Sequence, residues 1–219
     1  GLTEVTIADS VEKIYSSFSG CTALLEIRLP DSLNYLNGAF MNCHSLKTVS
    51  NLHSIDFIMS YAFYKCAALT EITIPDTVTS IGYCAFQGCT SLTEIVIPDK
   101  VTSVGHNAFN GCTALKTLTI GSSVESLNDK TFYNCTALET IYFNATALKG
   151  LNIKSTFNNV GKSSAGLVVY IGANVTKLPS GLFMPFSGTS HEAPAITEVI
   201  FAVLSVRAAE KQRRKSLHC

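Results

Sequence analysis

Charge is scarce in this chain: Asp, Glu, Lys and Arg make up 15% of its 219 residues, and they cancel to a formal net of zero. With hydrophobic residues at 47%, that scarcity excludes a disordered chain, which combines high charge with few apolar side chains. It points instead to an extensively buried interior under a neutral Ser/Thr exterior. Long apolar runs are missing too. None reaches the roughly 18 residues of a membrane-spanning helix, and the N-terminus shows no charged, apolar and small-residue succession of a secretory leader. The first residue is glycine and the chain's pattern is already in phase at Leu2. Together these read as a fragment cut from a longer protein, so the missing leader says little about where the parent lives.

Chemical motifs are equally sparse. The eight cysteines contain no C-x-x-C pair, which argues against a zinc site. A Ser or Cys nucleophile needs a His and a carboxylate within reach. His44, His53, His106, His191 and His218 are scattered over different positions, and none falls in a nucleophile-elbow or zincin motif. No catalytic residue, cofactor or metal ligand is therefore nominated, and the chain is read as no enzyme. Residues 160–164, Val-Gly-Lys-Ser-Ser, resemble the end of a phosphate-binding loop, but the upstream glycine such a loop needs falls at Thr156. The segment is read as a flexible turn.

What is present is repetition. A phenylalanine, a cysteine three residues on and a leucine three further recur at Phe18/Cys21/Leu24, Phe40/Cys43/Leu46, Phe63/Cys66/Leu69, Phe86/Cys89/Leu92, Phe109/Cys112/Leu115 and Phe132/Cys135/Leu138. The leucines step by 22, 23, 23, 23 and 23 residues. The two best copies, residues 69–91 and 92–114, agree at 16 of 23 positions. A unit rewritten at a constant period cannot bury its apolar face alone, so it stacks on its neighbours. The fold class is a repeat solenoid forming a single elongated domain over residues 1–201.

Each copy predicts one circuit. Leu69, Ile72 and Ile74 form a strand whose last two apolar residues point inward, with Thr73 between them. Pro75 ends the ladder because it has no N–H. Val78 and Ile81 point inward from a second extended piece, and Phe86 and Cys89 share one side of a single helical or 3₁₀ turn. Stacking aligns each strand with its copy, giving a parallel sheet on one face and short extended, 3₁₀ or helical turns on the other. The period shifts by a residue near Leu52 and Ile55, and the copies at 138–165 and 166–195 stretch to about 28 and 30 residues and lose the Cys. Val169, Ile171, Val175, Leu178 and Phe183 nevertheless keep the apolar spacing, and Ile196, Val199 and Phe201 repeat the strand. The reading is eight turns and a final strand.

The six repeat cysteines share one interior column. Their Cβ vectors should run parallel, which opposes disulfide closure, so they are read as buried free thiols. Cys84, outside the column, and terminal Cys219 are candidates for reactive or intermolecular chemistry. Asn134, Asn144 and Asn174 head Asn-x-Thr triplets that match the glycosylation acceptor, Asn134 being the poorest because it adjoins the interior column. From Ala202 onward the period is lost. Residues 207–219 hold five of the sixteen cations and one of the sixteen anions, leaving a net charge of −4 on the rest. This basic tail or cap, residues 202–219, stays open between a solvated helix, a cap and foreign sequence.

The string L-x-x-I-x-I-P, V-x-x-I, A-F-x-x-C-x-x-L resembles the BspA-like leucine-rich repeat family, strongly over residues 2–138 and weakly over 166–201. The resemblance implies a surface or secreted, non-enzymatic adhesion or recognition module whose partner is a protein, including host extracellular proteins or other cell-surface proteins. Neither nucleic acid nor a membrane span enters, and an apolar N-terminal end layer leaves end-to-end self-association open. The binding surface is expected on the outward positions of the strands. One column runs Glu4, Glu26, Thr48, Glu71, Glu94, Thr117, Thr140 and Glu198. Its neighbour runs Thr6, Arg28, Ser50, Thr73, Val96, Thr119, Tyr142, Tyr170 and Ile200. Candidate partner-binding residues are Glu26, Arg28, Glu71, Thr73, Glu94, Val96, Thr119, Tyr142 and Tyr170, because aromatics contribute disproportionately at interfaces. Two other readings compete: a structural spacer in a longer array, and an intracellular peptide-recognition scaffold that would keep its thiols reduced.

Overall fold

The computed structural model describes residues 1–149, 155–162 and 166–178, and the backbone of 196–201. Its strands run β1 (Lys13–Tyr15), β2 (Glu26–Arg28), β3 (Tyr35–Asn37), β4 (Thr48–Ser50), β5 (Phe57–Ile58), β6 (Ser80–Ile81) and β7 (Glu94–Ile97). They continue with β8 (Ser103–Val104), β9 (Thr117–Ile120), β10 (Ser126–Leu127), β11 (Thr140–Phe143), β12 (Leu167–Ile171) and β13 (Ile196–Phe201). All pairings are parallel, and the chain winds about six turns of solenoid. The Phe183 position and the tail lie outside the described residues.

The first sheet uses the L-x-x-I-x-I segments. β2 pairs with β4, and β7, β9, β11, β12 and β13 form a five-stranded ladder. Its Ile/Leu positions alternate inward, as in Ile95 and Ile97 of β7, both 1% exposed. Residues 69–74 are the exception. Leu69 and Ile74 are buried as predicted, yet no strand forms there. The preceding coil explains the gap. It lacks the strand-ending proline and turns at Asn51, which adopts a left-handed φ of 71° and donates from Nδ2 to the Leu29 carbonyl at 2.6 Å. The chain thus leaves the extended region one residue after β4.

The V-x-x-I segments add something the sequence reading treated only as an extended piece. They form a second parallel sheet, with β1 paired to β3 and β5, β6, β8 and β10 in one ladder. The A-F-x-x-C segments form hydrogen-bonded turns and no helix. Within each turn the Cys amide donates to the Phe carbonyl three residues back, at 3.2 Å for Cys89 and Phe86. The turns are also bonded from coil to coil. Phe63 N–H donates to Ala85 O at 2.8 Å, Phe86 to Ala108 at 2.7 Å and Phe109 to Thr131 at 2.8 Å. All three sides of the coil therefore satisfy backbone groups against the next coil.

Inside, the phenylalanines stack. Phe18, Phe40, Phe63, Phe86, Phe109 and Phe132 follow one another at centroid spacings of 5.0–5.7 Å with interplanar angles of 5–14°. A seventh ring, Phe157, extends the column at 5.3 Å from Phe132. The stretched copy had hidden it, although Thr156-Phe157-Asn158-Asn159-Val160 restates Thr131-Phe132-Tyr133-Asn134-Cys135 twenty-five residues on, with Val160 in the cysteine's place. Each fully buried ring contributes roughly 1.5–3 kcal/mol through area removed from water. Ring contacts add roughly 0.5–1.5 kcal/mol per pair.

The cysteines form the companion column. Cys43, Cys66, Cys89, Cys112 and Cys135 are buried and free, and each thiol donates to the Phe carbonyl of the preceding coil, at 2.9 Å for Cys43 and 3.1–3.3 Å for the others. The acceptor carbonyl thus takes two donors, the amide of its own turn and the thiol of the next. Burial pushes the Cys43 thiol up to about 11 and the Cys112 thiol up to about 12, so both stay protonated donors.

Candidate functional site

The predicted partner-binding residues divide into three groups. Register brings one group together: Val96 of β7 opposes Thr119 of β9, which opposes Tyr142 of β11, which opposes Tyr170 of β12, with Ile200 of β13 next in line. Val96 is 44% exposed, and the Tyr142 and Tyr170 rings stack at 5.0 Å and 15°. Strand spacing of about 4.8 Å sets that distance, since side chains two residues from the ladder's start on adjacent strands stand directly side by side. The neighbouring column runs Glu94, Thr117, Thr140 and then Val168, which the sequence reading had left out, before Glu198.

Glu26 and Arg28 stand exposed on β2, in the separate ladder with β4. Arg28 leans toward Asp31 at 3.8 Å, and Asp31 is held below the usual carboxylate value, chiefly by the hydrogen bond from Asn51 and further by His53 and Arg28. Glu71 and Thr73 are exposed in the interrupted segment. Between Glu4 and Glu26 lies a shallow groove of about 430 Å3, lined also by Thr3, Leu25, Lys47 and Thr48. Leu25 is 49% exposed at its floor.

A second surface escaped the sequence reading, which took the strand columns above as the sole contiguous face. On the second sheet Tyr15, Phe57, Tyr61 and Tyr83 are 58%, 46%, 36% and 43% exposed. Tyr15 lies 4.9 Å from Tyr35, and Tyr61 meets Tyr83 edge-on at 5.3 Å. The signal was available as the outward positions flanking the inward Ile14, Leu36, Ile58 and Ile81, once that segment is recognised as a ladder.

Cys84 is corrected as a reactive candidate: it is 2% exposed, and burial raises its thiol. Cys219 lies outside the described residues. Gly161 and Lys162 donate their amides to the Cys135 and Thr136 carbonyls at 3.4 and 2.9 Å, so this turn is spent on coil stacking. Among the described residues no three His, Cys, Asp or Glu side chains gather as metal ligands, and no helix is long and apolar enough to cross a membrane. Of the acceptor asparagines, Asn174 is exposed, and Asn134 accepts a hydrogen bond from Asn159.

No curated protein sequence is significantly similar to the chain. Among solved structures it is similar to a leucine-rich repeat protein from Bacteroides ovatus, at 26% identity and a TM-score of 0.62 over 74% of this chain and 49% of that one. It is similar to a T. pallidum leucine-rich repeat protein at 25% identity and a TM-score of 0.57, over 78% of this chain and 73% of that one. The pneumococcal vaccine antigen PcpA matches at 25% identity and a TM-score of 0.56, over 67% of this chain and 36% of that one. The chain thus spans about half the length of the Bacteroides protein. The BspA type leucine rich repeat region (6 copies) matches residues 1–67 and 56–188. Stacked Phe and thiol columns, parallel ladders and this match agree that the chain belongs to the BspA-type leucine-rich repeat family.

Proposed function

We propose that the chain is a non-enzymatic protein-binding module of a surface or secreted repeat protein, and that it takes its partner on the outer face of the first sheet. The observation that carries this reading is the in-register column Val96, Thr119, Tyr142, Tyr170. It sets an exposed apolar residue and a stacked tyrosine pair on a rigid ladder, and rigid aromatics with few rotamers make efficient anchors. The description of one similar structure as a pneumococcal vaccine antigen supports exposure outside the cell. Host extracellular proteins are the first partners to assay.

The test replaces both rings, Tyr142→Ala with Tyr170→Ala, and measures binding to a panel of extracellular-matrix and cell-surface proteins. Loss of a hot-spot pair should weaken binding by at least about thirty-fold, the equivalent of roughly 2 kcal/mol, with the melting temperature within a few degrees of the parent. Unaltered affinity would move the site to the aromatic face of the second sheet. Absence of any binding partner would leave the spacer reading.

A further inference from the structure

We infer that the basic C-terminal segment of this same chain, residues 207–215, lies over the first sheet's outer face and screens it until a partner displaces it. This rests on the reading of that face as the partner site. The argument begins with unbalanced charge. Glu4, Glu26, Glu71 and Glu94 occupy one column on that face, and none is ion-paired with a described residue. Lys47 borders the groove beside Glu4 and Glu26 without coming within 4 Å of either carboxylate, and Arg28 is turned to Asp31. The matching positive charge is concentrated elsewhere in the sequence: Arg207, Lys211, Arg213, Arg214 and Lys215 against Glu210. Residues 1–206 carry −4 and the rest +4.

Geometry permits the contact. β13 ends at Phe201 in the same ladder, and the order β13-β12-β11-β9-β7 puts Glu94 four strands away, about 19 Å at about 4.8 Å per strand. The fourteen residues from 202 to 215 reach about 45 Å when extended, at roughly 3.3 Å per residue. The path crosses Tyr170 and Tyr142, whose ring faces suit arginine guanidinium groups. Attachment to the same chain holds the segment at a high effective concentration, so individually weak exposed pairs suffice. Such a cover is salt-sensitive and reversible.

The test is zero-length carbodiimide cross-linking of the full chain at low ionic strength, read by peptide mass spectrometry. The result expected is amide links from Lys211 or Lys215 to Glu26, Glu71 or Glu94. These should fall at least fivefold in 1 M salt, where the Debye length shrinks to about 3 Å. They should also vanish in the E26Q/E71Q/E94Q variant, whose fold is checked by its circular dichroism melt. No tail links, links spread equally onto Asp99, Glu125 and Asp129, or links between isotopically mixed copies would overturn the inference. Partner binding is not the readout, so failure of the tyrosine test leaves this one interpretable, and the reverse.

Discussion

At the scale of the residue, two columns hold the coil together and each makes a measurable claim. Phe86 is fully buried between Phe63 and Phe109 at 5.1 and 5.0 Å. Phe86→Ala leaves a cavity in the middle of a rigid stack, and a loss of about 3–5 kcal/mol in chemical unfolding is expected. A melting curve matching the parent's would show that the column collapses freely. The thiols make a pH claim. Their ordinary value is 9.0, and burial raises Cys43 to about 11 and Cys112 to about 12. The unfolded chain therefore loses these protons first as pH rises, which favours unfolding. Stability from the protonated ladder should be full below about pH 9 and fall away between pH 9 and 12, as seen in melting temperature under reducing conditions. The Cys43→Ala/Cys112→Ala variant should flatten that alkaline slope even if its plateau is lower.

At the scale of the element, the corner geometry decides which substitutions the coil tolerates. One turn position is left-handed in every repeat: Gly20, Asn42, Lys65, Gly88, Gly111 and Asn134 all have φ between 56° and 76°. Each donates its amide to the next coil, Lys65 to Gln87 O at 2.7 Å and Gly111 to Tyr133 O at 2.9 Å. Lysine is the costly occupant, since a Cβ in this region clashes with the following carbonyl. Lys65→Gly should raise stability by about 0.5–1 kcal/mol, less the small cation–π contact of Lys65 with Tyr64 at 5.2 Å. A decrease on denaturant titration would mean that lysine's side-chain packing outweighs its backbone strain. Gly105 answers a different need. A Cβ there would lie 2.7 Å from the Gly82 carbonyl carbon, so Gly105→Ala forces two coils apart and should cost about 1–3 kcal/mol.

At the scale of the molecule, each coil touches only its neighbours, so stability is a sum of coil and interface contributions and local opening starts where neighbours are fewest. Phe18 and Cys21 are only partly buried at the first layer, whereas their counterparts from Phe40 and Cys43 through Phe132 and Cys135 are sealed. Amide hydrogen exchange should therefore show slower exchange for β9 and β11 than for β1, and uniform protection would indicate all-or-none opening. The repeat interval, the two buried columns and the outward alternation of the strands were all legible in the sequence, because burial in a stacked coil imposes one residue type per position and the period writes it out repeatedly. The register that places Tyr142 against Tyr170 followed from the same period. What only the tertiary structure decided is where neighbouring coils actually bond. The V-x-x-I segments became a second ladder with its own aromatic face, residues 69–74 failed to join the first ladder beside the turn at Asn51, and Phe157 entered the column across a lengthened loop. Each depends on the distance between backbones of successive turns, a quantity set by how the coils settle on one another and absent from the order of residues within any one of them.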